Sequence, residues 1–578
     1  MAATKRGSLS FLASNALARR TRRVWRALPS LLPLVLVIGG MLLLVSVLPL
    51  WQLVLRAFDI DALRWLVSDG QARRALRHSV SVSTIVACFA SLLSLGLALL
   101  LEKTDLPQRQ LFRLALLIPL TIPPQILTVA WLSWAGSAGL LQDALRAQWA
   151  FSGRLWTLYN PAGIILLLTI FALPVAYLTV ASGLRNIPRS LEDAARVEGA
   201  DLWRVWRFVT IPLLAPHIAA GFMLSFLAAL GNFGIQALLG IPARFITLPT
   251  LIYRKVTSFS SGGVDQAAAL ALLLAAPALL ILVVQHRLVN RHDQRSLEMT
   301  LEPPLRYSLG VVRRSVLWAL GWLLMLLVSI GPLVALLITS IQPAFGAALS
   351  WQSLTAEHYR FILTGLDPFR RALPNSLLLA GSASLIAALT ALVLASWLNK
   401  LRGRAALGLQ LVLDLPYALP GLVFSLALIL VWIRSPIPGL NIYGSIYILL
   451  FAYIGHYLAF ALQPLRAAWQ QLDSSLEEAA ALDGAGPLAR LYFVLVPILA
   501  PTLSVAGLLV FLNAFSELSL SALLASSRSE TLGWLVFNLE QAGYSNEAAA
   551  LSVILLAVLA LLSLVVVVLR VLARRRLS

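Results

Sequence analysis

Cysteine is almost missing from this sequence: its 578 residues contain one, Cys88. A lone thiol excludes any intramolecular disulfide framework. Charge is scarce as well. Asp, Glu, Lys and Arg make up 12% of the chain, against about 25% in soluble domains. Hydrophobic residues fill 59% of it, and the mean hydropathy is +0.85. A water-soluble fold could not hide that much apolar surface, so lipid is the solvent for most of the chain. Acid is the scarcer sign, with 25 Asp and Glu against 45 Lys and Arg and none in the first 58 residues. In a soluble chain the resulting charge of +20 would point to nucleic acid; here it falls in loops between membrane spans, and the expected partner is membrane lipid. No Gly-x-x-x-x-Gly-Lys-[Ser/Thr] segment occurs, nor any Gly-Lys dipeptide, which excludes ATP binding in the Walker manner. The six histidines form no His-x-x-x-His or His/Cys cluster, so no metal site is indicated. His456, mid-run beside Tyr453 and Tyr457, reads as a packing residue with one hydrogen bond.

What the chain has instead is long apolar runs. A bilayer core about 30 Å thick needs roughly 20 apolar residues per helix. Six such runs lie near 31–55, 78–101, 111–133, 161–184, 212–240 and 266–286. Six more lie near 315–342, 375–398, 406–433, 443–465, 497–525 and 548–569. They are continuous rather than alternating, which excludes barrel strands. The fold class is an all-α membrane protein of about 12 transmembrane helices. With the N-terminus inside, inner segments carry twice the Lys and Arg of outer ones, so both termini are expected in the cytoplasm. The run Leu31–Val54, preceded by Arg19, Arg20, Arg22, Arg23 and Arg26, is too long for a signal peptide's core and reads as an uncleaved first span behind a basic arm.

An internal repeat organises these runs. Arg73-Arg74-Ala75-Leu76 recurs as Arg370-Arg371-Ala372-Leu373, an offset of 297 that Pro119/Pro416 and Pro123/Pro420 share. Further on the offset is 285: SLEDAARVEGADLWRVWRFVTIPLLAP (190–216) aligns without a gap to SLEEAAALDGAGPLARLYFVLVPILAP (475–501). Six spans per unit is even, so the copies share one orientation. The expected domains are a basic arm (1–30), a first six-helix unit (31–290), a cytoplasmic linker (291–314) and a second six-helix unit (315–578).

The repeated loop has the chemistry of a docking element. Ser190 with Asp193, and Ser475 with Glu478, match a helix-start signal in which the serine caps. Leu191, Ala194 and Ala195 recur as Leu476, Ala479 and Ala480, a small apolar face. Gly199 and Gly484 stop the helix, and a second short helix leads to Pro212 and Pro497, placed to open the next span. An amphipathic helix resting on lipid would need a basic polar face. Glu192, Asp193, Glu198 and Asp201, then Glu477, Glu478 and Asp483, would instead repel an anionic leaflet, so a protein partner is expected.

This doubled loop resembles the EAA loop of ATP-binding-cassette importer permeases, and both halves resemble permeases fused into one polypeptide. The resemblance implies that Glu192, Ala194, Ala195 and Gly199 form one ATPase-coupling motif, and Glu477, Ala479, Ala480 and Gly484 the other. It implies a separate cytoplasmic ATPase, a homodimer serving both loops, that holds the ATP; a periplasmic substrate-binding protein; and a bacterial inner-membrane location. The chain itself would bind no cofactor and would not be an enzyme. The segments 233–253 and 516–543 look most like ferric-iron importers, while thiamine, phosphonate and polyamine permeases share the architecture. An ion-driven secondary transporter also shares a six-plus-six repeat, but leaves the acidic repeated loop without a role.

For the translocation path the candidates are Asp414 and Glu517, the acids inside the apolar runs, with Asn232, which aligns with Glu517, and Asn513 one helical turn before it. They read either as a polar lining or as interhelical hydrogen bonding. Asp414 precedes Pro416 and Pro420 in a run that should bend, and can satisfy freed backbone amides instead.

Overall fold

A computed structural model of the protein describes residues 36–577, apart from 150–152, 154, 259, 261, 293–306, 348, 349, 351 and 402. The basic arm and most of the linker lie outside the described residues. Ten helices there are long and apolar enough to cross a membrane, and two further helix pairs are bent spans. In the first half the spans are α1 (Leu36–Ala57), α2 (Gly70–Lys103), the pair α3 (Arg109–Thr121) and α4 (Pro124–Ala135), and α5 (Pro161–Arg185). The loop helix α6 (Arg189–Val197) precedes α7 (Ile211–Gly231) and α8 (Gly263–His292). The second half repeats the order: α9 (Val311–Thr339), α10 (Asp367–Lys400), the pair α11 (Arg404–Ala418) and α12 (Gly421–Trp432), and α13 (Ile446–Gln470). Loop helix α14 (Ser474–Leu482), α15 (Val496–Phe515) and α16 (Ser545–Leu577) complete it.

Proline decides where these helices depart from the straight runs of the sequence. The third span of each half turns through 111° and 108°. Ile122 and Leu419, which precede Pro123 and Pro420, are extended (ψ 125° and 143°) because a following proline disfavours the helical region. Elsewhere proline is absorbed without a break. Five-residue π turns at Leu43–Val47, Trp206–Thr210, Leu326–Ile330 and Leu491–Leu495 each end two residues before a proline: Pro49, Pro212, Pro332 and Pro497. Widening the turn accommodates the ring and the missing N–H. Pro212 and Pro497 stand in the first turn of α7 and α15, as the sequence suggested, but no break precedes them: the short second helix of each loop runs through a π turn into the fifth span. The fifth spans also stop earlier than their apolar runs, at Gly231 and Phe515, and a separate short helix follows each, Gly234–Gly240 and Ser521–Leu524.

The two halves are interleaved. The first span of each packs on the other half's third. Ser46 Oγ of α1 donates to the Val412 carbonyl of α11 at 2.7 Å, and Val45 lies against Gly455 of α13. The equivalent exchange links α9 to the first half: Ser329 Oγ donates to the Ala115 carbonyl at 3.3 Å, and Gly331 lies against the Trp134 ring. The glycines matter because neither site leaves room for a β-carbon. Within each half the fourth span is the central packing element. Two thirds (67%) of the most apolar stretch of α5 and 61% of that of α13 are buried, against 39% in the fifth span of the first half and 22% in that of the second. A cavity of about 460 Å³ lies beside the fifth span of the first half, lined by Ile211, Ala215, Ala219 and Phe222.

Candidate coupling joints and axial seal

Each loop helix ends as its glycine dictates. Gly199 and Gly484 adopt φ +85° and +82°. Ala200 N–H donates to the Ala195 carbonyl and Ala485 N–H to the Ala480 carbonyl, both at 3.0 Å, closing the same C-terminal motif twice. The starts differ from the serine-cap expectation. Helix α6 begins at Arg189 behind Pro188, with no side-chain cap, so Ser190 lies inside it. Helix α14 begins at Ser474, and Asp473 takes the capping role, accepting from Ser475 N–H at 2.9 Å. That bond holds the Asp473 carboxyl below its ordinary range. Each helix starts before its serine, so the hydroxyl is too far along to reach the free amides.

Outward, each helix presents a short apolar ridge. Leu191, Ala194 and Val197 are exposed on α6, and Leu476, Ala479 and Leu482 on α14, all at the 285-residue offset. Val197 is 85% and Leu482 88% exposed, so none of the described residues covers them. Ala195 and Ala480 are half-buried, and Gly199 and Gly484 are exposed. The ridge ends, Val197 and Leu482, had gone unremarked in the sequence although helical spacing adds them to Leu191/Ala194 and Leu476/Ala479.

Glu192 faces the opposite way. Its side chain is fully buried, and both carboxylate oxygens accept from Lys103 Nζ at 2.9 Å. Thr210 Oγ1, in the π turn ahead of α7, donates to Oε1 at 2.9 Å. The neighbour of Lys103, Glu102, is a second hub: Arg113 Nη2 donates to it at 2.6 Å, Tyr177 OH at 2.9 Å and Arg185 Nη2 at 3.5 Å. The linker also docks here. Tyr307 N–H donates to the Lys103 carbonyl at 2.8 Å, and its ring lies 6.3 Å from that of Trp206 and 5.6 Å from the Arg196 guanidinium. Burial, and then the nearby Glu192 charge, push the Tyr307 hydroxyl up to about 12. Asp105 continues the contact, accepting from Leu309 N–H at 3.1 Å and pairing with Arg314 at 3.7 Å.

At the far ends of the fifth spans the two halves meet. Phe233, Ala237 and Leu238 of the first half and Leu422, Leu518, Ala522 and Phe537 of the second form one buried apolar cluster. The Phe233 ring lies 5.0 Å from that of Tyr253 and 5.5 Å from that of Phe537. Gln125 Nε2 donates across the boundary to the Ser516 carbonyl at 2.8 Å. This cluster fills the junction between the halves and is the candidate seal.

Two of the four path candidates lie beside this cluster. Asn232 and Glu517 are both buried at this junction, each just beyond the end of a fifth span. Asn232 Oδ1 accepts from Ile235 N–H at 3.0 Å. Glu517 accepts from Leu520 N–H at 2.7 Å and Ser521 N–H at 3.0 Å. Each side chain caps the short helix that follows, so the shared polarity of these aligned positions is a backbone requirement. Asn513 does not share a helical face with Glu517, because α15 ends between them; it is exposed and donates to the Leu509 carbonyl at 2.8 Å. Asp414 is half-buried on α11, with Gln410 and Arg466 as its polar neighbours. His456 Nδ1 sits 2.9 Å from the Pro416 carbonyl and its ring packs beside Phe424.

An interleaved pair of helical repeats, each with an outward loop helix at one end and a shared apolar junction at the other, is the architecture of a membrane permease. Residues 90–296 and 383–578 match the family of the binding-protein-dependent transport system inner membrane component, and the chain belongs to that family. It is a multi-pass inner-membrane permease of an ATP-binding-cassette importer. It is 26% identical over 518 residues to the Fe(3+)-transport system permease protein FbpB 2 of Haemophilus influenzae, covering 89% of this chain and 93% of that one. It is 25% identical to the probable ABC transporter permease protein y4fN of Sinorhizobium fredii, covering 82% and 83%. The molybdenum transport system permease protein ModB of Escherichia coli is 29% identical, covering 39% of this chain and 96% of its own.

Proposed function

We propose that this chain carries ferric iron inward, that its loop helices α6 and α14 receive a homodimeric cytoplasmic ATPase, and that a periplasmic binding protein delivers the ion to the opposite face. Both termini then lie in the cytoplasm, on the side of the loop helices. ATP is held by the partner, and the permease performs no catalysis of its own. The observation that carries the docking reading is the pair of exposed apolar ridges at equivalent positions. They offer two like surfaces to two like subunits. In this state the axis is shut at the seal beside the fifth-span ends, while the fifth spans stand apart from each other. ATPase closure would act through α6 and α14 on those spans and open the seal.

The ferric assignment rests on the full-length relative, which spans both fused halves. Molybdate is the second reading, favoured by the higher identity of a single-unit relative over one half. Thiamine, phosphonate and polyamine cargoes fit the architecture less specifically. The test is uptake of radiolabelled ferric iron by iron-starved cells with and without the gene, with labelled molybdate and thiamine in parallel. Loss of iron uptake alone supports the assignment; unchanged iron uptake, with no other importer present, overturns it. Docking is tested by Val197→Asp with Leu482→Asp. Both side chains are exposed, so the fold should survive while the ATPase no longer co-purifies; retention of the ATPase at wild-type yield refutes the ridge.

A further inference from the structure

We propose that Glu192 is not a contact to the ATPase but the core of an internal clamp, with Lys103 and Thr210, that fixes the loop helix to the second and fifth spans. This rests on the reading of α6 as an ATPase-coupling helix. A residue that docks a partner must be reachable, and Glu192 is 0% exposed with Lys103 at 1%. Both its oxygens are engaged, by one ammonium and one hydroxyl. A buried ion pair is a poor source of stability, because desolvation consumes most of its attraction; its best-attested use is to fix register. Apolar residues of similar size would hold α6 in place but would let it slide, whereas two charge-assisted bonds and a hydroxyl set its position against two elements at once.

Those elements are the ones a force must reach. Lys103 is the last residue of α2, and Thr210 closes the π turn that runs directly into α7. The ridge Leu191–Ala194–Val197 points out on the other side of α6. A push on the ridge therefore passes through Glu192 into the base of the fifth span. Tyr307 closes the clamp from the linker side, through its bond to the Lys103 carbonyl. The repeat carries the same charged pair in sequence, Lys400 at the 297 offset and Glu477 at the 285 offset. The residue aligned with Thr210 is Leu495, and Asn399 stands where the first half has Glu102. In sequence the second joint thus keeps both charged residues without the extra donor or the carboxylate hub.

The test is a charge swap in the assembled complex, in membranes. A cysteine at Ala219 of α7, which lines a cavity of about 460 Å³ beside that helix, is labelled with a maleimide in a Cys88→Ser background, with and without ATP and vanadate. In the otherwise wild-type chain, ATP should change the labelling rate by on the order of threefold or more as populations shift. Glu192→Lys should keep the ATPase bound and hydrolysing but abolish that response. Lys103→Glu combined with Glu192→Lys should restore it. If Glu192→Lys loses the ATPase and the swap does not regain it, Glu192 is a docking contact and the clamp is refuted while docking stands. A response that survives Glu192→Lys, or is missing from the wild-type chain with ATPase bound, also refutes the clamp. Failure of the wild-type chain to bind any ATPase would instead refute the coupling reading beneath it. Should Glu192→Lys not accumulate, Lys103→Gln with Glu192→Gln replaces it with the same outcomes expected.

Discussion

A methyl group at Gly455 tests the interleaving directly. A β-carbon built there would lie 2.2 Å from Val45 Cγ1 and 2.9 Å from Phe424 Cζ. Ordinary carbon contact needs roughly 3.5–4 Å, so Val45 would have to retreat by roughly 1.5 Å, in a core packed at crystal-like density. Overpacking of this kind costs about 1–3 kcal/mol. Alanine is also the better helix former, by about 1 kcal/mol, so Gly455→Ala alone should destabilise by about 0–2 kcal/mol. Val45→Ala alone removes two methyl groups from a residue only 1% exposed and should cost about 1 kcal/mol in a membrane, where packing rather than water exclusion joins helices. In the Val45→Ala background the clash with Cγ1 disappears, and only the close approach to the Phe424 ring is left to set against the helix gain. Gly455→Ala should then cost less than in the wild-type chain, and the two changes should couple by about 1–3 kcal/mol. Thermal unfolding midpoints of the four purified proteins give the sign. Additive shifts would mean that the first span does not cross to the second half, and the interleaved fold would be wrong.

Glu517→Ala should be far more harmful than Glu517→Gln. Alanine strands the buried amides of both Leu520 and Ser521, at about 1–3 kcal/mol each, whereas the single glutamine oxygen still accepts from one of them; equal loss of uptake at matched protein levels would instead mark the charge itself as part of the path. Gly199→Ala should cost about 1–2 kcal/mol through its positive φ alone, since no atom lies within 4 Å of the new β-carbon, and Gly199→Asn should cost less; ATPase co-purification that ranks alanine at or above asparagine would refute the conformational account.

The helical class, the repeat and the loop helices were legible because each rests on a local signal: apolar run length, a constant offset, a glycine that must turn left-handed. The bend of the third spans was half-legible, since Pro123 and Pro420 are visible but the 111° and 108° turns need the packed structure. Asn232 and Glu517 are found by alignment and read either as a polar lining or as interhelical hydrogen bonding; their bonds to the amides of the following short helices depend on the early ends of α7 and α15, which the apolar runs do not reveal. Lys103 escaped notice although the repeat contains its signal: Lys103 and Lys400 share the 297 offset just as Glu192 and Glu477 share the 285. The crossing of α1 and α9 leaves no trace in periodicity, since it lives in contacts such as Ser46 with Val412, 366 residues apart.

That separation sets a timetable for biogenesis. At about 5–20 residues per second, roughly 20–70 s of synthesis pass between the emergence of Ser46 and that of the carbonyl it will bind. Through that interval α1 has only its contacts with α8 of its own half, such as Arg56 with Asp265 at 3.4 Å, and the narrow notch at Gly455 is not yet made. Lipid, or an insertion factor able to shield a helix rich in small and apolar residues, must hold the place until the second half arrives. The first helix of this chain completes its packing only once the third and fourth spans of the second half are in place.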